Sequence, residues 1–172
     1  MKHAAYAHNL NPVIDWVEAT DLEDATNATD PEKYRRAWDR LYEADGVLVP
    51  GGFGSRGVEG MIKAASFART QKKPYLGICL GLQVAVISYA RWVRRAGVTR
   101  SDVCEMADAN SQEFDAATVH PVIVSMPEHN VAQKGGTMRL GERVSVFKEK
   151  YFDRSMMFAL YGKKKGGCGE MV

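Results

Sequence analysis

The chain has 172 residues, 45% apolar and 26% charged, with a formal net charge of +2. That length suits a single domain, residues 1–172, around one core. The apolar content excludes a disordered chain, the small net charge argues against a nucleic-acid partner, and no apolar run is long enough to span a bilayer. The N-terminus, MKHAAYAHNLNP, lacks the apolar stretch of a secretion signal, so the expected location is the cytosol. Charge is uneven: residues 1–45 hold 5 Lys/Arg against 10 Asp/Glu, the remainder 18 against 11. The surplus of cations on the later part would suit an anionic ligand, but solvated helix faces are the simpler account of it. The three cysteines, Cys79, Cys104 and Cys168, form no C-x-x-C pair. An odd, sparse set argues against a disulfide framework and against a structural metal, so none is expected.

In chain order, residues 12–19 (PVIDWVEA) alternate as a strand does, and residues 21–31 are polar and turn-like. Residues 31–44 hold helix formers, with Asp30 as N-cap and Pro31 in the first turn. GVLVP, residues 46–50, reads as a buried parallel strand stopped by proline. A Gly51-Gly52-Phe53-Gly54 loop follows, then helical spacing over residues 57–70, with Met61, Ile62, Ala65, Phe67 and Ala68 on adjoining faces. Lys72-Lys73-Pro74 breaks that helix. Residues 75–78 form a second short buried strand, and residues 80–93 a helix. Residues 94–118 are irregular, 120–126 a strand, 127–136 a loop, 137–147 a hairpin or bent strand, and 152–161 a short helix. The tail from Gly162 has no core-forming pattern and reads as a mobile loop.

Strand, glycine loop, helix, strand, sharp turn, helix is the signature of right-handed crossovers. It predicts a three-layer open, mostly parallel sheet with helices on both faces. In such sheets the site lies beyond the carboxyl ends of the strands, where both the glycine loop and Cys79 fall.

Gly77-Ile78-Cys79-Leu80-Gly81 sits at a strand-to-helix junction, the cysteine form of a nucleophile elbow. Small residues on either side let the chain turn sharply and lift the nucleophile out of the sheet. The positive end of the following helix favours thiolate over thiol. Amides left unpaired there can donate to an oxyanion, first Leu80 N–H, with a second donor from the loop where Gly52 permits close approach. The alternatives are a cysteine buried in a core strand, or an elbow belonging to an unrelated cysteine hydrolase or isomerase. A cysteine nucleophile also wants a histidine base held by a third group. Of His3, His8, His120 and His129, none follows a late strand that would aim it at the elbow.

The motifs then coincide with a family. Pro50-Gly51-Gly52-Phe53-Gly54, Arg56-Gly57-Val58-Glu59-Gly60 and Gly77-Ile78-Cys79-Leu80-Gly81-Leu82-Gln83 stand in that order. Asn110-Ser111-Gln112-Glu113-Phe114, His120-Pro121-Val122, Met126-Pro127-Glu128-His129-Asn130 and Gly135-Gly136-Thr137-Met138-Arg139-Leu140-Gly141 follow. Together they resemble the glutaminase domain of the CTP synthase family, over residues 2–161. The elbow is common to class I glutamine amidotransferases, whereas the segments around Arg56 and Thr137 are more specific. The M-P-E-H-N segment resembles the eukaryotic branch.

The resemblance implies a glutaminase that hydrolyses L-glutamine through a thioester on Cys79 and releases ammonia. An amidoligase domain of the same enzyme would use ATP and Mg²⁺ to aminate UTP to CTP, with GTP activating the glutaminase step. This domain itself would need no cofactor, and the parent enzyme would be a homo-oligomer, a tetramer. By motif, Gly52 and Leu80 supply the oxyanion donors. Gly52, Phe53, Leu80, Gly81, Leu82, Gln83 and Glu113 hold glutamine, with Glu113 suited to the substrate ammonium. Arg56, Thr137 and Arg139 match positions tied to GTP. The sequence departs from the family pattern in three ways. The H-P-E segment that carries the family's catalytic histidine and glutamate is absent from these residues, as is H-R-H-R. The chain starts inside the family's first helix, and residues 94–108 make a longer connection than usual. An inert glutamine- or GTP-binding or oligomerisation fragment is the alternative these departures suggest, and slow or no turnover by the isolated chain is the expectation.

Overall fold

The computed structural model describes residues 1–95, 106–124, 145–161 and 170–171. They fall into two compact units, Met1–Met126 and Pro127–Val172. Expectations for the loop at 127–136, most of the hairpin at 137–147, Cys104, Cys168 and His129 lie outside the described residues.

The first unit is organised around two parallel strands, β1 (Val47–Val49) and β2 (Tyr75–Gly77), with Val47 opposite Tyr75 and Val49 opposite Gly77. Between them runs α4 (Val58–Thr70), and α5 (Leu80–Arg95) follows β2. Ahead of β1 lie α1 (Lys2–Ala7), a 3₁₀ turn (Ala19–Leu22), α2 (Asp24–Thr29) and α3 (Pro31–Glu43). The expected cap holds at α3, where the Asp30 carboxylate accepts from the Lys33 N–H at 3.0 Å and Pro31 occupies the first turn.

Two apolar clusters hold these elements together. Val49, Val58, Ile62, Leu80, Val84 and Ile87 pack where α4 and α5 cross the strands. Leu22, Ala37, Leu41, Ala64 and Phe67 join α3 to the other side of α4, with Trp38 and Tyr42 meeting the Phe67 ring edge-on. Gly60 allows the second contact. A Cβ there would overlap the Ala19 carbonyl, so only glycine lets α4 lie against the 3₁₀ turn. Burying each large side chain contributes about 1.5–3 kcal/mol, which outweighs short, weakly paired strands.

Several expectations need correcting. Residues 12–19 form no strand. Their alternation serves another end: Arg40 donates to the Trp16 carbonyl at 3.1 Å and Val17 packs on the α3 cluster. Residues 21–31 are helical rather than turn-like, partly because Thr26 Oγ1 caps the Thr20 carbonyl at 2.7 Å. The strands are not buried on both faces. Val49 is 5% exposed, whereas the paired Leu48 and Leu76 on the opposite face are 38% and 53% exposed.

After α5, the first unit adds a second parallel pair, β3 (Asn110–Ser111) with β4 (Pro121–Ile123). It is pinned by Arg91 of α5, whose Nε donates to the Ala109 carbonyl at 2.9 Å while its other nitrogens grip both oxygens of Glu59 on α4.

In the second unit, β5 (Ser145–Val146) pairs antiparallel with β6 (Glu170–Met171). The tail therefore contributes a strand, contrary to the expectation of a loop without structure. The helix expected over 152–161 is divided. A 3₁₀ segment (Glu149–Arg154) gives way to α6 (Met156–Tyr161), since Ser155 Oγ accepts from the Phe158 N–H at 3.1 Å and starts a new helix. Phe152 and Phe158 stack at 3.9 Å across that break. Among the described residues no helix is long and apolar enough to cross a membrane.

Candidate active site

β2 ends at Gly77, and the chain reverses into α5 within three residues. Ile78 N–H completes the ladder on the Val49 carbonyl at 3.0 Å. Gly81 N–H then returns to the Ile78 carbonyl, and Leu82 and Gln83 N–H both reach the Cys79 carbonyl, at 3.0–3.1 Å. At the apex Cys79 has φ +55°, left-handed backbone that a residue with a Cβ rarely adopts. Such strain persists only where the surroundings impose it, and it gathers at functional sites. Here the flanking glycines impose it. A Cβ on Gly77 would overlap the Gly81 carbonyl, and a Cβ on Gly81 would overlap the carbonyl of Val49. The G-x-C-x-G spacing is thus a packing requirement of this turn.

Cys79 is exposed, which excludes a thiol sealed in the core. The glycine loop after β1 lies against it. A Cβ on Gly51 would sit 3.3 Å from Cys79 Cβ, and one on Gly52 would sit 3.2 Å from Leu80 Cδ2. The N–H groups of Gly52 and Leu80 donate to no protein acceptor among the described residues. Two backbone donors close to Cys79 are therefore unpaired among the described residues. Leu80 itself is buried and anchors the start of α5. Phe53 and Leu82 are exposed, at 63% and 59%. Gly81 is buried, and its carbonyl accepts from the Tyr75 hydroxyl at 2.7 Å. Burial pushes that phenol up from its ordinary 10.0 to about 12.

One turn along α5, Gln83 meets the segment after β3. Its Nε2 donates to Glu113 Oε2 at 2.9 Å, and its Oε1 accepts from Ser111 Oγ at 3.2 Å. Ser111 Oγ in turn accepts from the Glu113 N–H at 3.1 Å. Two residues proposed from separate motifs to hold glutamine are thus hydrogen-bonded to each other. Ser111 joins them although only Glu113 was singled out from that motif. Its signal was present, because a small hydroxyl two residues before an acid commonly receives that residue's N–H. Gly51 and Tyr75 were also passed over, and nothing in the sequence marks Tyr75 as the brace of the elbow.

The remaining candidates are not gathered at Cys79. Arg56 is highly exposed and lies 3.4 Å from Glu18. Thr137 and Arg139 lie outside the described residues. His3 and His8 sit in and at the end of α1, both exposed, and His120 precedes β4 with its Nδ1 unpartnered. No described histidine is hydrogen-bonded to Cys79. Two clefts of about 200 and 320 Å³ open elsewhere, one around Glu18, Lys33 and Arg36, the other around Arg91, Asp108 and Asp115. Among the described residues no group of His, Cys, Asp and Glu could hold a metal ion.

An exposed, strained cysteine between a parallel strand and a helix, faced by a glycine loop, has the geometry of a nucleophile elbow. The sequence profile of Glutamine amidotransferase class-I matches residues 3–160, and the chain belongs to that family. Within it, the chain is similar to CTP synthases. It is 49% identical over 162 residues to CTP synthase 1 of Homo sapiens and 48% identical over 162 residues to CTP synthase 1-B of Xenopus laevis, in each case 94% of this chain and 25% of the relative. Among solved structures it resembles the glutaminase domain of Trypanosoma brucei CTPS with bound acivicin, with a TM-score of 0.66 and 30% identity over 94% of this chain and 53% of that one. The chain thus spans about a quarter of the length of these curated relatives.

Proposed function

We propose that the chain is the glutaminase portion of a CTP synthase, with Cys79 as its nucleophile. The observation that carries this reading is the exposed thiol held at φ +55° one helical turn from the Gln83–Glu113 pair. The Cys79 thiolate attacks the side-chain carbonyl carbon of L-glutamine. The resulting oxyanion takes hydrogen bonds from the Gly52 and Leu80 N–H groups. As the C–N bond breaks, the nitrogen takes up the proton that the thiol gave up and leaves as ammonia, and the thioester that remains is hydrolysed by water to glutamate. Glu113 pairs with the substrate ammonium, Gln83 supports it, and Phe53, Gly81 and Leu82 line the pocket.

The similarity to CTP synthases supports the wider reading. Ammonia passes to an amidoligase domain that uses ATP and Mg²⁺ to aminate UTP, in pyrimidine nucleotide synthesis. GTP, an anion suited to guanidinium groups, engages Arg56, Thr137 and Arg139, and the working enzyme is a tetramer in the cytosol. These 172 residues contain no His-Pro-Glu segment to take the thiol proton, so on their own they turn over glutamine slowly or not at all. No observation favours the inert-fragment reading over this one.

Alkylation of the full chain with a glutamine-like chloroketone tests the proposal. Cys79 is expected to react selectively, and free L-glutamine to protect it. Reaction no faster than at Cys104 and Cys168, or without protection, would refute it.

A further inference from the structure

We propose that Ser111 is a positioning residue for the amino-acid head group of glutamine, acting by fixing which way the Gln83 carboxamide points. The inference rests on the glutaminase reading above. Ser111 ends β3 and is 0% exposed. Its hydroxyl has one proton to give and can accept twice. The Glu113 N–H, which can only donate, takes one acceptor position at 3.1 Å. The hydroxyl proton goes to Gln83 Oε1 at 3.2 Å.

A hydroxyl donor calls for the oxygen end of the carboxamide. That turns the Gln83 NH₂ towards Glu113, where it donates to Oε2 at 2.9 Å. The reversed amide would set carbonyl oxygen against carboxylate, an electrostatic clash. Three residues from two separate motifs thus close a ring, with Ser111 its buried member. One Glu113 oxygen is committed to Gln83. The other, Oε1, accepts from no protein donor among the described residues and is left for a cation. An α-ammonium group is that cation in the substrate. Without the Ser111 hydroxyl, the amide loses its orientation and the Glu113 N–H its acceptor, so the carboxylate no longer has a fixed place.

The test follows the rate of Cys79 alkylation in the full chain by three reagents. One is a chloroketone on the L-glutamine skeleton with a free α-amino group. The second is its N-acetyl counterpart, and the third is iodoacetamide, which has no head group. The wild type is expected to saturate with the free-amine reagent and to prefer it to the N-acetyl form. In Ser111→Ala the half-saturating concentration of the free-amine reagent rises about tenfold, the scale of one lost hydrogen bond to a charged group. The preference over the N-acetyl form largely disappears, while the iodoacetamide rate is unchanged. Val84→Ala, which thins the core beneath the same helix without touching the ring, keeps the preference.

A Ser111→Ala protein that retains the wild-type preference overturns the proposal alone. So does one in which all three rates fall together, since that is a structural effect. A wild type that shows no saturation and no preference overturns the glutaminase reading, and this inference with it.

Discussion

Replacing Cys79 by glycine should make the protein more stable while removing its nucleophile. At φ +55° a residue with a Cβ stores about 1–2 kcal/mol of strain, which glycine does not. Glycine also loosens the unfolded chain, costing about 0.4–1 kcal/mol relative to alanine. The side chain is exposed, so little packing is lost with it. Alanine is the proper reference, because it removes the sulfur and keeps the strain. The difference predicts Cys79→Gly more stable than Cys79→Ala by about 0.5–1 kcal/mol. For a chain of this size that is a rise in melting temperature of about 1–4 °C. Urea unfolding followed by circular dichroism measures the midpoint and slope together, and an unchanged slope shows that the gain belongs to stability. Both variants should lose labelling by the chloroketone at this position. A glycine variant that melts at or below the alanine variant would refute the claim that the fold holds its nucleophile in a costly conformation, one of the recognised tensions between stability and activity.

Two further predictions concern the same turn. Gly81→Ala should lower stability by about 3 kcal/mol, the upper end of overpacking, because the new methyl group meets the backbone carbonyl of Val49 rather than a side chain that could move. Thermal melting should fall by about 6–12 °C, and an unchanged melting temperature would show that α5 can shift away freely. Tyr75 predicts an alkaline effect. Burial raises its folded pKa from 10.0 to about 12, so between those values the unfolded state has released a proton that the folded state keeps. Stability contributed by the neutral phenol is therefore complete below pH 10 and is lost as the pH rises towards 12. The stability difference between wild type and Tyr75→Phe should shrink across that window, and a constant difference would dispose of the argument.

The elbow was legible because its constraints are local. Gly77, Cys79 and Gly81 are close in sequence and stand at a strand-to-helix junction, and Gly77 must spare the Gly81 carbonyl within the same turn, although what Gly81 must spare is the distant Val49 carbonyl. The helices at 31–44, 57–70 and 80–93 were legible for the same reason, as apolar periodicity and caps act over a few residues. What failed depended on distant partners. Residues 12–19 alternate like a strand, but Arg40 rather than a neighbouring strand takes the Trp16 carbonyl. The strands at 47–49 and 75–77 look buried on both sides, yet Leu48 and Leu76 face away from the described helices. Residues 24–29 carry no helical periodicity, and a threonine bond back to residue 20 secures them instead. At the site, Gln83 and Glu113 came from motifs rather than from pattern. The ring that Ser111 closes between them joins segments about thirty positions apart, and no local rule could announce it.

Helix α5 carries Cys79 just before its first turn, Gln83 within it and Arg91 two turns later. Arg91 clamps the strand that leads to Ser111 and Glu113. Cys79, Gln83 and the arginine that holds the Ser111 strand are therefore carried by one element. An α-helix advances about 1.5 Å per residue and resists stretching, so a shift of α5 along its axis would carry Cys79 and Gln83 together.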